Sequence, residues 1–198
     1  MPLPPTDQHA VQGPAVYLAG PDVFRQNGRE HGAHLVTDCA LAGLNGLYPL
    51  DTQLDPQAYA TPQAFAAAIA HANMDLIARS QAVIANLSPF RGPNVDDGTA
   101  FEIGYAHARG LPIFGYVCTN APTAPYRDRV KDCGGTLTRI TVDHRPTWVD
   151  EHGLVVEEFG LPVNLMIATV LYGSGTIFSS AHAAITAAAE HLLAPKKA

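Results

Sequence analysis

The sequence predicts a single α/β domain built on a doubly wound, mostly parallel β-sheet with helices on both faces. Short apolar runs typical of buried strands alternate along the chain with longer segments of helical periodicity. The 198 residues, 47% of them hydrophobic and 15% charged, suffice for one packed domain and show no internal repeat. In flavodoxin-like or Rossmann-like sheets of this kind, ligands bind beyond the carboxyl ends of the strands.

The first four strands and three helices follow from these two patterns. The strands are apolar runs bounded by turn residues, at 15–19, 47–50, 82–87 and 112–117. The helices are expected at 26–44, at 62–79 and around Glu102 as far as Gly110. Pro62 stands where a first helical turn tolerates proline, and Phe65, Ile69, Ala72 and Leu76 follow it at helical spacing.

Residues 118–160 interrupt this alternation. They contain several prolines and glycines, with only short strand-like pieces such as 138–142. A segment this long and irregular inside a compact domain is more often a functional lid or an oligomer arm than a simple connection. Beyond it, helices are expected at 161–171 and 176–193. At the other end, the proline-rich residues 1–14 are expected to be a flexible tail ahead of the domain at 15–198.

Composition narrows the class of protein. A net charge of −6 with only 12 Lys and Arg and no basic run argues against a nucleic-acid partner. Cys39, Cys118 and Cys133 form no CxxC pair, which favours a reducing cytoplasm over a disulfide framework. The histidines lack metal-ligand spacing, so no metal is expected. No apolar run approaches the roughly 20 residues of a membrane helix, and the N-terminus does not resemble a signal peptide.

The most informative stretch is 94–106, Asn-Val-Asp-Asp-Gly-Thr-Ala-Phe-Glu-Ile-Gly-Tyr-Ala, which follows the predicted strand at 82–87. Glu102 is expected in or near the first turn of a helix, where the helix dipole favours an ionised carboxylate. Asp96 and Asp97 lie a few residues upstream. One ionised acid beside others at the end of a strand is the arrangement used for displacement at a sugar carbon.

A purely structural interpretation of the same residues competes with this one. Thr99 and Glu102 match a capping box, in which the glutamate reaches back to the helix start. Asp96 or Asp97 fits the N-cap position. Against this interpretation, the two aspartates would repel Glu102, a cost that a cap does not require. The flanking glycines also permit close approach by a ligand.

Two further residues are ambiguous from the pattern alone. Tyr17 stands just before Gly20 at the carboxyl edge of the predicted sheet, so it is either a site residue or an ordinary strand aromatic. Asp75 lies late in the 62–79 helix, which would carry it away from that edge. It is therefore a solvated surface acid unless the helix breaks near Asn73.

Four elements of the sequence, in order, resemble the nucleoside 2-deoxyribosyltransferases. They are Tyr17-Leu18-Ala19-Gly20-Pro21, Met74-Asp75-Leu76, Asp96-x-Gly98-Thr99-x-x-Glu102-x-Gly104-Tyr105-Ala106 and Asn164-Leu165-Met166. The agreement spans roughly residues 15–170. The resemblance implies a cytoplasmic homo-oligomer that needs no cofactor and moves 2-deoxyribose between the nucleobases of 2′-deoxynucleosides.

The resemblance also implies roles for particular residues. Glu102 matches the nucleophile and Tyr17 the tyrosine that orients it. Asp96 matches the aspartate that contacts and helps to protonate the base, and Asp75 a second aspartate near the base. Asn164 matches an asparagine that binds the sugar hydroxyls from an adjacent subunit. The expected substrate-binding set also includes Gly20, Phe24, Asp97, Gly98 and Met166.

Three questions stay open at this point. The first is which of Asp96, Asp97 and Asp75 delivers the proton. The second is base preference, because the long 118–160 segment resembles a longer subgroup of the family. The third is the reaction itself: an N-glycoside hydrolase on the same scaffold and a non-catalytic nucleotide-binding sensor domain are both alternatives.

Overall fold

The computed structural model describes residues 13–118 and 121–195, and its centre is a five-stranded sheet in which all strand pairs are parallel. The order β2-β1-β3-β4-β7 is that of a flavodoxin-like doubly wound sheet, which confirms the predicted fold class. The strands are β1 (Ala15–Ala19), β2 (Asn45–Leu47), β3 (Ala82–Asn86), β4 (Ile113–Tyr116) and β7 (Ile177–Phe178), with β5 (Thr138–Val142) and β6 (Arg145–Val149) in a separate antiparallel hairpin. The predicted tail 1–14 lies outside the described residues except for its last two.

Helices cover both faces of this sheet. They are α1 (Gly28–Leu41), α2 (Pro62–Arg79), α3 (Asp97–Ala108), α4 (Tyr126–Asp132), α5 (Leu165–Ala168), α6 (Tyr172–Gly175) and α7 (Ala181–Leu193). Alternate residues of β1 serve opposite faces, as the period of a strand requires. Tyr17 packs in the core shared with α2 and α3, whereas Val16 and Leu18 pack in the core shared with α1 and α7. Because of the pleat of β1, the Tyr17 side chain therefore points towards α2 and α3.

The carboxyl ends of β1 and β3 are neighbours at the point where the chain reverses its winding direction, which is where doubly wound sheets bind ligands. Gly20 follows β1 there, and a Cβ added to it would stand 2.8 Å from the Asn86 Cβ. Buried Asp22 joins the two strand ends by accepting from the Asn86 Nδ2 at 2.8 Å. Gly20 thus allows the two strand ends to approach closely.

Three predicted elements differ from the structure. The second strand is Asn45–Leu47 rather than 47–50, because Pro49 starts a 3₁₀ turn at Pro49–Asp51. The helix expected at 161–171 is only the single turn Leu165–Ala168, since Asn164 caps it at the fourth residue of the predicted range.

The last predicted helix, 176–193, begins too early. Ile177 and Phe178 instead form β7 beside β4, as suits a β-branched and an aromatic residue. Helix α7 starts only after Ser180, whose Oγ accepts from the Ala183 backbone N–H at 3.2 Å. The N-cap serine therefore sets the start of α7, which the apolar periodicity alone does not indicate.

The 118–160 segment contains more regular structure than its sequence predicts. Helix α4 is followed by the β5–β6 hairpin, and β5 is exposed along its whole length. Trp148 of β6 holds the hairpin against α4, with the Arg127 guanidinium 5.5 Å and the Lys131 ammonium 5.6 Å from its ring centroid. Arg129 donates to the Leu87 carbonyl at 2.8 Å, which ties α4 to the chain just beyond β3.

Candidate active site

A short hydrogen bond joins β1 to α3. The Tyr17 hydroxyl donates to the Glu102 Oε1 at 2.5 Å, across 85 residues of sequence. Tyr17 is fully buried, and burial followed by the nearby Glu102 carboxylate raises the pKa of its phenol. Tyr17 therefore stays protonated and donates to the ionised Glu102 carboxylate.

Glu102 lies in the second turn of α3 and does not cap the helix. The N-cap is Asp96, whose Oδ2 accepts from both the backbone N–H and the hydroxyl of Thr99 at 2.9 Å. The capping-box interpretation of Thr99 and Glu102 is therefore wrong, whereas the expectation that one of the two aspartates is the N-cap is confirmed. Because Asp96 satisfies the helix start, the Glu102 side chain is free to reach Tyr17.

Asn73 is the site residue that the sequence analysis missed. Its side chain, on α2, lies close enough to Glu102 to lower the pKa of that carboxyl. Asn73 stands three and four residues before the buried Leu76 and Ile77, so it shares their inward helix face. That spacing, with a polar residue continuing a buried apolar stripe, is the sequence signal that could have identified it.

The environment of Glu102 raises its pKa to about 7. Loss of solvation on burial is the main cause, and the neighbouring Asp96 carboxylate acts in the same direction. The hydrogen bonds from Tyr17 and Asn73 oppose the rise. The expected stabilisation of the ionised form by the helix dipole does not prevail, because Glu102 lies beyond the first turn, where that effect fades.

Asp75 lies in an exposed position, although α2 runs unbroken through it from Pro62 to Arg79. Its backbone carbonyl accepts from the Arg79 Nε at 3.3 Å. Its carboxylate has no hydrogen bond or ion pair with any residue in 13–118 or 121–195. Within one chain, Asn73 rather than Asp75 is the residue of α2 that contacts Glu102.

Asn164, Met166 and Asp97 line a cavity of about 530 Å³ on the other side of α3. Neither Glu102 nor Tyr17 lines it. The Asn164 Oδ1 caps α5 by accepting from the Met166 N–H at 3.0 Å, and its Nδ2 donates to the Glu157 Oε1 at 2.6 Å. Within a single chain, these three residues therefore lie apart from the Tyr17–Glu102 pair.

Two aromatic side chains meet beyond the ends of β1 and β3. The rings of Phe24 and Phe90 stack with centroids 5.2 Å apart, and the Arg91 guanidinium lies 4.8 Å from the Phe90 centroid. Phe24 is 60% exposed, so much of the ring is open to a ligand. Gly98 lies at the start of α3, where an added Cβ would stand 3.2 Å from the Asp96 Oδ2.

The described part of the chain has neither a metal-binding cluster nor a helix that could cross a membrane. In residues 13–118 and 121–195, no three His, Cys, Asp or Glu side chains are grouped as a metal site would require. Within the same ranges, no helix combines the length and apolar character that crossing a membrane requires.

The doubly wound parallel sheet, with the half-buried Glu102 carboxylate hydrogen-bonded to Tyr17 of β1, is of the class that binds small molecules at its switch point. The sequence profile of the nucleoside 2-deoxyribosyltransferases matches residues 16–166. The chain therefore belongs to the nucleoside 2-deoxyribosyltransferase family, and the resemblance inferred from the four motifs is confirmed.

Individual relatives agree with this assignment. A 2-desoxiribosyltransferase from Leishmania mexicana has 32% sequence identity and a TM-score of 0.66, with 90% of this chain and 98% of that chain covered. An uncharacterised protein from Schizosaccharomyces pombe is 33% identical over 177 residues, which cover 87% of this chain and 83% of the relative. A 2-deoxyribosyltransferase from Bacillus psychrosaccharolyticus, at 15% identity and a TM-score of 0.53 over 85% of this chain and 88% of that one, shares the fold. Family and neighbours together support a nucleoside deoxyribosyltransferase function.

Proposed function

We propose that this protein transfers 2-deoxyribose between nucleobases by a retaining double displacement through a covalent deoxyribosyl ester of Glu102. The observation that supports this most directly is the half-buried Glu102 carboxylate held by the Tyr17 hydroxyl at 2.5 Å. A nucleophilic carboxylate must be oriented and shielded from bulk water. Its pKa of about 7 makes both the ionised and the protonated form accessible near neutral pH.

In the first half-reaction the ionised Glu102 attacks C1′ of a 2′-deoxynucleoside. The C1′–O bond forms as the C1′–N bond to the base breaks, through an oxocarbenium-like transition state. The departing base takes a proton from an acid, for which we propose Asp96. Among the family-matched aspartates, Asp96 is the one whose charge acts on Glu102, whereas the Asp75 carboxylate is exposed.

In the second half-reaction a free base attacks C1′ from the face that the first base left. The C1′–O bond breaks, Glu102 recovers its negative charge, and the incoming base gives its proton to Asp96. Two inversions leave the configuration at C1′ unchanged. Phe24, stacked on Phe90 at the carboxyl edge of the sheet, is the proposed surface against which the base lies.

We propose further that the working enzyme is a homo-oligomer whose sites are shared between subunits. Asn164 and Met166 line a cavity from which Glu102 is absent, so in one chain they do not serve the nucleophile. In an oligomer they would approach the site of a neighbour and bind the sugar hydroxyls. The unpaired Cys39, Cys118 and Cys133 suit a reducing cytoplasm, where deoxynucleoside salvage would use this reaction.

A donor–acceptor assay tests the proposal. A 2′-deoxynucleoside is incubated with and without a second free base, and products are separated by chromatography, with Glu102→Ala as the inactive control. Transfer predicts a new nucleoside only when the second base is present. Free deoxyribose released at the same rate in both reactions would mean hydrolysis. Binding without turnover across a panel of purine and pyrimidine donors would mean a sensor domain.

A further inference from the structure

An arginine that the proposed mechanism does not use lies beside the aromatic pair at the carboxyl edge of the sheet. Phe24 follows β1, Phe90 follows β3, and Arg91 is the next residue of the chain. We propose that Arg91 is a specificity-determining residue that donates a hydrogen bond to the carbonyl oxygen of the nucleobase, so that the site prefers oxo bases such as hypoxanthine and uracil to their amino counterparts adenine and cytosine. This inference rests on the proposed deoxyribosyl transfer and names the bases that the enzyme moves.

The guanidinium of Arg91 lies beside the two rings and leaves one face of Phe24 open. Its central carbon is 4.8 Å from the Phe90 centroid and 5.8 Å from the Phe24 centroid, and the two centroids are 5.2 Å apart. Because these three distances are nearly equal, the guanidinium lies on the Phe90 side of Phe24 and does not cover its outer face. Phe24 is 60% exposed, so a base can stack on that outer face with Arg91 at the rim of the same surface.

The donors of Arg91 are available to a ligand. Its side chain is exposed, and it forms no hydrogen bond or ion pair with any residue in 13–118 or 121–195. Arg25, which follows Phe24, differs because its Nε donates to the buried Asp22 carboxylate at 2.8 Å. Attraction to the ring faces holds the Arg91 guanidinium only weakly at an exposed site and occupies none of its five N–H donors.

The backbone holds Arg91 in a conformation that is unusual for an arginine. Its φ is 53°, in the left-handed region, and Gly92 follows with a φ of 141°. The Phe90 N–H donates to the Asn94 carbonyl at 2.9 Å and closes this turn. Residues other than glycine are uncommon in the left-handed region, and such positions cluster at ligand-binding sites. The turn brings the Arg91 guanidinium back against the ring of the residue that precedes it.

A guanidinium distinguishes an oxo base from an amino base because it only donates hydrogen bonds. The carbonyl oxygen of hypoxanthine or uracil accepts, and the positive charge of the donor strengthens the bond. The amino group of adenine or cytosine is itself a donor, so it would face a second donor. As the C1′–N bond breaks, the negative charge left on an oxo base spreads partly onto its carbonyl oxygen. Arg91 stabilises that charge there, and the proton from Asp96 goes to a ring nitrogen.

Matched pairs of acceptor bases test this assignment. Transfer from one deoxynucleoside donor is measured to hypoxanthine and adenine, and to uracil and cytosine, with Arg91→Met and Arg91→Lys. Methionine keeps a long side chain beside the rings but has no donor, whereas lysine keeps a charged donor. Arg109→Met is the matched control, because Arg109 is exposed and lies 5.6 Å from the Tyr105 ring centroid at the far end of α3. Thermal melts confirm that each variant is folded.

For each pair of bases that the protein accepts, we expect Arg91→Met to lower the oxo-to-amino ratio of kcat/KM by about 10-fold. This is the lower end for a hydrogen bond to a charged group, because the side chain is exposed. The loss should fall on the oxo base, with kcat/KM for the amino base nearly constant. Arg91→Lys should keep part of each ratio, and Arg109→Met should keep all of it. Unchanged ratios in a folded Arg91→Met protein would overturn the inference.

A binding measurement without a donor keeps this inference separate from the proposed function. Isothermal titration calorimetry gives the Kd of each free base when no sugar is present to transfer. Arg91→Met should weaken binding of the oxo base by about 10-fold and leave that of the amino base nearly unchanged. If the protein transfers no sugar but binding responds in this way, the proposed function fails and the role of Arg91 stands. If transfer occurs and neither measurement depends on Arg91, that role is wrong. Absence of both transfer and base binding would overturn both.

Discussion

The two sides of α3 differ in how completely one chain builds them. On one side, the half-buried Glu102 accepts a hydrogen bond from Tyr17 of β1 and lies near Asn73 of α2. On the other side lies the open cavity of about 530 Å³ lined by Asn164 and Met166. The first side holds the proposed nucleophile, and the second has the residues expected to recognise the sugar. Within a single chain, helix α3 thus lies between Glu102 and the residues expected to bind the sugar.

Helical geometry produces this separation. Residues advance by about 100° along a helix, so Glu102 and Gly104 point in nearly opposite directions. Gly104 lines the cavity, and a Cβ added to it would meet no atom within 4 Å. Met166, also in the cavity, is 69% exposed. The cavity side of α3 is therefore open, whereas Glu102 on the other side is half-buried against Tyr17.

The largest expected effect comes from removing Glu102, the proposed nucleophile. Glu102→Ala should reduce transfer by about 10⁴-fold or more, since loss of a covalent nucleophile removes the reaction path itself. The protein should remain folded, because Asp96 rather than Glu102 caps α3. Steady-state kinetics with Glu30→Ala, an exposed glutamate of α1, as control would measure the difference. Transfer at more than a hundredth of the original rate would contradict the role of Glu102.

Mixing two inactive variants tests whether the cavity side of α3 contributes Asn164 to the site of another subunit. Asn164→Ser keeps an N-cap for α5 but removes the amide expected to bind sugar. Refolding this variant with Glu102→Ala should recover about a quarter of the original activity if sites are shared across a two-fold interface. Each variant refolded alone is the control. No recovery, with mixed oligomers demonstrated by mass spectrometry, would show that each chain builds its own site.

A smaller effect is expected when the hydrogen bond between Tyr17 and Glu102 is removed. The acid limb of kcat/KM should lie near pH 7, because activity requires ionised Glu102 and is lost as pH falls through its pKa of about 7. Tyr17→Phe removes the donor at 2.5 Å and should lower kcat by about 10- to 100-fold. It should also move the acid limb to higher pH. Tyr59→Phe is the control, and an unchanged acid limb in Tyr17→Phe would count against the contact.

The smallest effect is on stability. The pKa of Glu102 is about 7 in the folded protein and about 4.3 for an unperturbed glutamate, so between these values the folded chain binds more protons than the unfolded chain. The carboxylate therefore costs increasing stability as pH rises through this window. Glu102→Gln should increase the free energy of unfolding by about 2 kcal/mol at pH 8 and leave it unchanged at pH 4. Urea titrations at the two pH values measure this, and equal changes at both would contradict the raised pKa.

The sequence predicted the sheet well because strands β1 and β3 are buried on both faces, so their sequences are continuous apolar runs. It also identified Tyr17 and Glu102, although only in combination with the family motifs. Asn73 was missed because its role depends on how α2 packs against α3, which local periodicity does not specify. An ionised Glu102 was likewise expected from the helix dipole, whereas loss of solvation in the folded chain is the main cause of its raised pKa.

The 118–160 segment shows the same limit. Its turn residues correctly predicted a break in the alternation of strands and helices. They did not predict the β5–β6 hairpin, which Trp148 holds against α4 through a contact between distant residues. Similarly, Ile177 and Phe178 become a strand because β4 offers an open edge. In each case a partner far along the chain determines the structure, and a local pattern does not reveal that partner.

The most direct test of Glu102 as the nucleophile is to trap its ester. The protein is incubated with a 2-fluorinated deoxynucleoside analogue, which slows breakdown of a glycosyl ester, and then digested and sequenced by mass spectrometry. We predict one added sugar on the peptide that contains Glu102, absent from Glu102→Gln and removed when a free base is added. A sugar attached to another residue, or turnover of the natural donor with no ester formed, would contradict that role.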